Sequence, residues 1–264
     1  MSAITALAST LSNSVTSVQS QIADVQNQLA TGKKNLNPAE SGEVTRLSAQ
    51  VTGYNQVGKN ITQAQNVISV GQTALSSISS ILTQMQQIAT QANNAGLQTS
   101  DATALNTTFQ QLALQAKNLQ TGATLNGSNV LTGQLAVATD IANGTTTVSA
   151  PTSTALATVT NQTTKETVAT VGGAAIAITD INLALAEVSA AQSALSASSA
   201  GLSAQATAAA SLSSNLQSTV DSIQNIDQTA MQAQLQQLNN QQSVDYYLVS
   251  QMNTEASAAL TIFR

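Results

Sequence analysis

The chain has 264 residues, but aromatic side chains make up only 2% and tryptophan is absent. Any core is therefore built of Ala, Leu, Ile and Val, which suits long helices packed side by side. Charged residues are 7% and the net charge is -5, so no basic stripe exists to bind nucleic acid. With no His and no Cys, Cys/His zinc sites, thiol nucleophiles, disulfides and imidazole proton transfer are excluded, and no catalytic, cofactor or metal site is expected.

Ile4, Leu7, Leu11, Val15, Val18, Ile22, Val25 and Leu29 recur at steps of three and four, which predicts a helix with an apolar stripe of near-heptad period. Gly32 is its expected C-terminal cap, with Lys33 and Lys34 near the negative end of the dipole. Pro38 is expected to bar an early restart. The opening "MSAITALASTLSNSV" lacks a basic segment followed by a solid apolar block, so no cleaved secretory signal is expected. Nor does any unbroken apolar run approach the length of a bilayer span.

From Val44 through Leu47, Val51, Val57, Ile61, Ile68, Leu75, Leu82 and Ile88 the same rhythm continues. Unbroken to Asn94, it makes one helix of roughly 80 Å. Asn93, Asn94 and Gly96 end it, and Ser100 with Asp101 are the expected cap of a third helix carrying Leu105, Phe109, Leu112, Ala116 and Leu119. This helix folds back on the second. After Thr121 the period changes: Leu135, Val137, Thr139 and Ile141 alternate, Asn143-Gly144 offers a tight turn and "TTTVSAP" follows, a hairpin pattern. The pieces "ALATVT" and "TVATVGGAAIAIT" also alternate, which extends the expected small sheet across residues 135–179. Helical period resumes near Asp180. A final segment keeps heptad spacing through Met231, Leu235, Leu238, Gln242, Asp245, Val249, Met252, Leu260 and Phe263.

Residues 60–100 and 188–220 carry no charged side chain. A lone helix normally clothes its outer face in charge, whereas Gln, Ser, Thr and Asn are desolvated at far lower cost than Lys or Glu. These faces therefore pack against something, either neighbouring molecules or other helices of one intramolecular bundle.

The segment beginning "LATGKKNLNPAESGEVTRL", the "LNGSNVLTG" of residues 125–133, and "NLQSTVDSIQNIDQTAMQAQLQQLNNQQ" ahead of the final "LTIFR" together resemble bacterial flagellin in its short form, without large outer domains. The resemblance covers most residues outside the β middle. It implies a mainly α fold, a long antiparallel helical rod with coiled-coil termini and a small β-hairpin region in the middle. Residues 1–32 with 227–264 would form the inner filament core, 33–43 the non-helical spoke, 44–134 with 179–226 the rod, and 135–178 the surface-facing β region. The subunit interface would use Ile4, Leu7, Leu11, Val15, Val18, Ile22, Leu235, Leu238, Val249, Met252, Leu260 and Phe263. Lys33, Lys34 and Arg46 would make spoke contacts to acidic groups of neighbouring subunits, or serve as ordinary solvated loop charges. Where many flagellins present an arginine-bearing patch to an animal innate immune receptor, this chain has Gln84, Gln87, Ile88 and Gln91, and no arginine, which implies weak or absent recognition.

The implied function is a self-assembling structural subunit of the bacterial flagellar filament for swimming motility, unprocessed after type III export and secreted. Its implied partners are copies of itself, an export chaperone, and cap and junction proteins, with no nucleic acid, membrane or cofactor. Two alternatives stay open: a hook-filament junction protein, which "NPAE" after "TGKK" also resembles, and a surface adhesin or glycan-binding module using the β middle. Enzymatic readings are weak. A zinc peptidase insert needs His-Glu-x-x-His, "ATGKKN" lacks the first glycine and the Ser/Thr of a phosphate loop, and Asp221, Asp227, Glu40 and Glu43 are too scattered for a catalytic pair. Glu40 and Glu43 instead suit a helix N-terminus.

Overall fold

The stripes become helices, and glycine or proline marks the breaks at 32–37 and 93–98, whereas the break at 225–227 holds neither. The computed structural model describes residues 2–151, 154–161 and 167–262. In chain order come α1 (Ser2–Thr31), α2 (Pro38–Ala92), α3 (Thr99–Gly122), β1 (Leu135–Ala138), β2 (Thr145–Val148), α4 (Thr154–Asn161), α5 (Val171–Gln224) and α6 (Gln228–Ile262). The chain divides into two units: Met1–Ala49 with Asn215–Arg264, and Gln50–Ser214.

In the unit Gln50–Ser214, α2 and α5 run antiparallel, and their uncharged residues bond to one another. Gln65 Nε2 donates to Ser203 Oγ at 2.8 Å, Gln72 Nε2 to Ser196 Oγ at 3.1 Å, and Gln86 Nε2 to Asn182 Oδ1 at 2.6 Å. Ser213 Oγ donates to Asn55 Oδ1 at 3.0 Å. Part of the blank surface is thus covered from within the chain. Beneath this ladder Ile61, Ile68, Leu82 and Met85 of α2 meet Ile181, Leu195 and Leu202 of α5. Phe109, Ala113 and Ala116 dock α3 on the same core.

Gly71 marks the closest approach. A Cβ there would stand 2.6 Å from Val130 Cγ2 and 3.4 Å from Leu195 Cδ1, and both neighbours are fully buried. Alanine gains up to about 1 kcal/mol of helix propensity, but overpacking a rigid site costs about 1–3 kcal/mol. Gly71→Ala is therefore expected to lower stability by roughly 1–2 kcal/mol in urea titrations. Gly53→Ala is expected to be milder: its Cβ would meet Ile141 Cγ2 at 2.7 Å, yet Ile141 is exposed and free to yield.

The middle departs from expectation in several places. β1 and β2 form the hairpin, antiparallel with Leu135 opposite Val148 and Ala138 opposite Thr145, but its loop spans 139–144 and only Asn143 has positive φ, at 67°. The two-residue type I′ geometry lies instead at Asn126 and Gly127, with φ of 52° and 79° and reciprocal backbone bonds between Leu125 and Ser128. Asn129 ties that turn to α3 by donating to Gln120 O at 2.9 Å. "ALATVT" is not strand but the body of α4. "TVATVGGAAIAIT" is largely the start of α5, which begins at Val171 rather than near Asp180. The alternation misled because alanine fits both periods, and the helical row Ala174, Ala177, Ile181 is the one that is buried. Thr170 Oγ1 caps this start by accepting from Gly173 N at 3.1 Å.

The N-terminus of α4 is held from α5: the Glu187 carboxylate accepts from the backbone N–H groups of Thr154, Ala155 and Leu156 at 3.0–3.1 Å. The cap of α3 is Gln98, without a side-chain bond, and not Ser100. Although it holds no unbroken apolar run, α5 contains an 18-residue window of mean hydropathy 1.5, so by length and composition alone it is apolar enough to cross a membrane. That apolarity comes from Ile, Leu, Val and Ala interrupted by Gly, Thr, Asp, Asn and Glu, which a search for unbroken apolar runs passes over.

Candidate functional site

The unit formed by Met1–Ala49 and Asn215–Arg264 contains the pair α1 and α6 and the joints that lead into it. The helices run antiparallel, for Ser14 bonds Asp245 while Val25 and Leu29 lie in one cluster with Met231 and Leu235. Val18, Val25 and Leu238 are buried, with Ile22, Leu29, Met231 and Leu235 packed around them. The seam is narrow, as an apolar stripe of heptad period dictates.

Both joints are short and bonded to each other. Gly32, at φ 68°, ends α1 as expected. Lys34 N donates to Gln224 O at 2.6 Å, Ile226 N donates to Gly32 O at 3.4 Å, and Lys33 and Asn225 form an antiparallel bridge. Asp227 caps α6 by accepting from Thr229 N and Ala230 N. Pro38 does not delay α2. It is its first residue, where a missing N–H costs nothing, so 38–43 is helical and the non-helical joint shrinks to 32–37.

Asn37 is the cap of α2. Its Oδ1 accepts from Glu40 N at 2.9 Å while Glu40 Oε2 accepts from Asn37 N at 3.0 Å, a reciprocal capping box. Lys34 Nζ reaches Glu40 Oε1 at 2.6 Å. The Lys34 ammonium first, and then the Asn37 N–H, hold the Glu40 carboxyl below its ordinary value of 4.5. A carboxyl depressed in the folded state stabilises above its unfolded pKa and loses that contribution as pH falls through the folded one. NMR titration of Glu40 is therefore expected to give a midpoint below 4.5, and Lys34→Ala to raise it toward that value.

The sequence-derived site residues separate into groups. Val18, Ile22, Leu235 and Leu238 hold α1 to α6 within one chain, and Leu11, Val15, Val249 and Met252 are half-buried. Leu7 is 60% exposed. The side chains of Ile4 and Leu260, and Phe263 altogether, lie outside the described residues. Lys34 and Arg46 meet acidic groups of their own chain, Arg46 approaching Glu43 at 3.7 Å, whereas Lys33 is exposed with no acidic partner among the described residues. Gln84, Gln87 and Gln91 are exposed on α2, and Ile88 leans on the core. Sequence reasoning missed Asn37, although Asn-Pro-x-Glu spells a capping box with proline at its first helical position. It also missed Glu187, for which no local signal exists.

Residues 4–136 match the family model of the bacterial flagellin N-terminal helical region. A similar solved structure is the crystal structure of Bacillus cereus flagellin, with 22% identity and a TM-score of 0.50, covering 57% of this chain and 88% of that one; at this identity the likeness concerns the fold. No curated protein gives a match. Paired terminal helices, a helical body with a small hairpin, and a family match over residues 4–136 of 264 converge: the chain belongs to the bacterial flagellin family, structural and non-enzymatic subunits of the extracellular flagellar filament.

Proposed function

We propose that this chain polymerises through the α1–α6 pair, with residues 1–32 and 227–264 as inner core and the hairpin region 135–178 turned outward. The observation that carries the reading is the combination of a narrow internal seam with an outer face that is nearly free of charge: α1 holds a single charged side chain, Asp24, and leaves Leu7 exposed. Such a pair buries little within one chain and gains by packing among copies. Lys33, which has no acidic partner among the described residues, is the cation best placed for a neighbouring subunit. The uncharged surface of Gln84, Gln87 and Gln91 supports weak recognition by the innate receptor, and an export chaperone, cap and junction proteins complete the set of partners.

The test is purified protein incubated with short filament seeds and viewed by electron microscopy. Full-length chains are expected to elongate the seeds, while chains lacking 1–32 or 227–264 are expected not to. A full-length chain that stays monomeric on seeds would instead support the junction-protein reading.

A further inference from the structure

Asn-Gly is a chemically labile pair as well as a turn signal. Glycine leaves its nitrogen unshielded, and the amide carbon of the preceding asparagine lies within reach of that nitrogen in a five-membered ring. The chain holds two such pairs, Asn126-Gly127 and Asn143-Gly144. Both asparagines are exposed and both have positive φ, at 52° and 67°, so neither exposure nor the left-handed backbone separates them. Their surroundings do.

Asn126-Gly127 is clamped. Leu125 N donates to Ser128 O and Ser128 N to Leu125 O, each at 3.0 Å, and Asn129 fastens the turn to α3. Ring closure requires the peptide between asparagine and glycine to swing toward the side chain, a rotation that a closed two-residue turn resists. The loop 139–144 is held at other points: Thr139 N donates to Gly144 O at 2.9 Å, and Ala142 N to Asp140 Oδ1 at 3.2 Å. The Asn143 side chain and the N–H groups of Asn143 and Gly144 have no hydrogen bond among the described residues.

Asp140 supplies a base. Its Oδ2 lies 3.4 Å from the point where a Cβ of Gly144 would stand, which sets a carboxylate beside the N–H that must lose its proton. A real Cβ there would meet Asp140 Cβ at 2.9 Å, so the loop demands glycine at the attacking position. The segment 102–139 contains no Asp or Glu, and the turn at 126–127 has no such base in its own stretch of chain. We propose that Asn143 is a site of covalent self-modification that needs no enzyme. Gly144 N attacks Asn143 Cγ as its proton passes to Asp140, and the Cγ–Nδ2 bond breaks. The departing nitrogen takes up that proton and leaves as ammonia. Water then opens the succinimide at either carbonyl, giving aspartate or isoaspartate, so one water is consumed for each ammonia released. Isoaspartate adds a methylene to the main chain and sets a second carboxylate beside Asp140, and like charges repel. The modified loop therefore loosens where Ile141 rests on Gly53 of α2. The reaction takes place within one chain and is independent of the filament reading.

The test incubates the full-length chain at neutral pH, folded in buffer and unfolded in urea, and maps the tryptic peptides by mass spectrometry. Both pairs fall in one peptide, 118–165, because no Lys or Arg lies between Lys117 and Lys165, so fragment ions compare them internally. In the folded chain, conversion at 143 is expected to exceed that at 126 by about tenfold or more, as a positioned base provides. Labelling by an isoaspartyl methyltransferase is expected to locate isoaspartate at 143. In urea the two sites are expected to convert at similar rates. Asp140→Asn keeps an oxygen for the Ala142 N–H but lacks the base; with an unchanged circular dichroism spectrum, it is expected to slow position 143 about tenfold and to leave 126 as it was. Equal conversion of the two sites in the folded chain overturns the proposal, as does faster conversion at 126 or none at 143. An unchanged rate at 143 in Asp140→Asn overturns the role given to Asp140.

Discussion

Leu238→Asp is expected to part α1 from α6 and to stop filament growth. Leu238 is 6% exposed and packs with Val18 and Val25, and neither partner can bond a carboxylate. Full burial of an aliphatic side chain contributes about 1.5–3 kcal/mol, and among the described residues the apolar side chains that the seam buries are Val18, Val25 and Leu238. An unpaired buried charge costs several kcal/mol, comparable to everything the seam supplies. The variant should lose ellipticity at 222 nm corresponding to helices of 30 and 35 residues, with rapid amide exchange in both. The unit Gln50–Ser214 has its own core and should keep its protection. Retained protection in α1 would refute the seam as described.

Phe109→Ala is expected to be the most damaging single truncation in that second unit. Phe109 is fully buried, and the other buried side chains that α3 contributes are Ala113 and Ala116. Leu105, Leu112 and Leu119 lean on the core only half-buried, so Phe109 supplies the largest single burial that holds this helix of 24 residues against its loss of conformational entropy. Truncating a buried phenylalanine typically costs about 3–5 kcal/mol, a large share of the 5–15 kcal/mol of a typical domain. Urea unfolding followed in this unit should shift by that amount, and α3 amides should exchange early. A loss below about 1 kcal/mol would mean that α3 docks by other contacts.

The long helices were legible in the sequence because a heptad stripe leaves little choice: the spacing from Val15 to Leu29 admits no strand, and Gly32 announces its own left-handed turn. The middle was less legible. Residues 154–161 and 171–179 are rich in Ala, Thr and Val, which alternate and step by three and four equally well, so burial against α2 and α3 decided the matter. Glu187 reaches α4 across about thirty residues of chain, which no window of local pattern records. The uncharged stretches were read as faces that pack either against neighbouring molecules or within one bundle, and part of that contact is internal, through Gln65, Gln72 and Gln86. At the site, the stripe already placed Asp245 on the seam, and what it did not name was the partner, Ser14, that bonds it there.

The pairing of the two joints has a mechanical consequence. Because Lys34 is bonded to Gln224 and Gly32 to Ile226, the strand entering α2 and the strand leaving α5 are shackled at one level. A pull on either terminus travels along the covalent backbone to this clasp, whose bonds pass part of the load to the other strand. The weakest element in such a path is a small group of parallel backbone bonds that must break together, so the tails of each molecule bear stress as one cable.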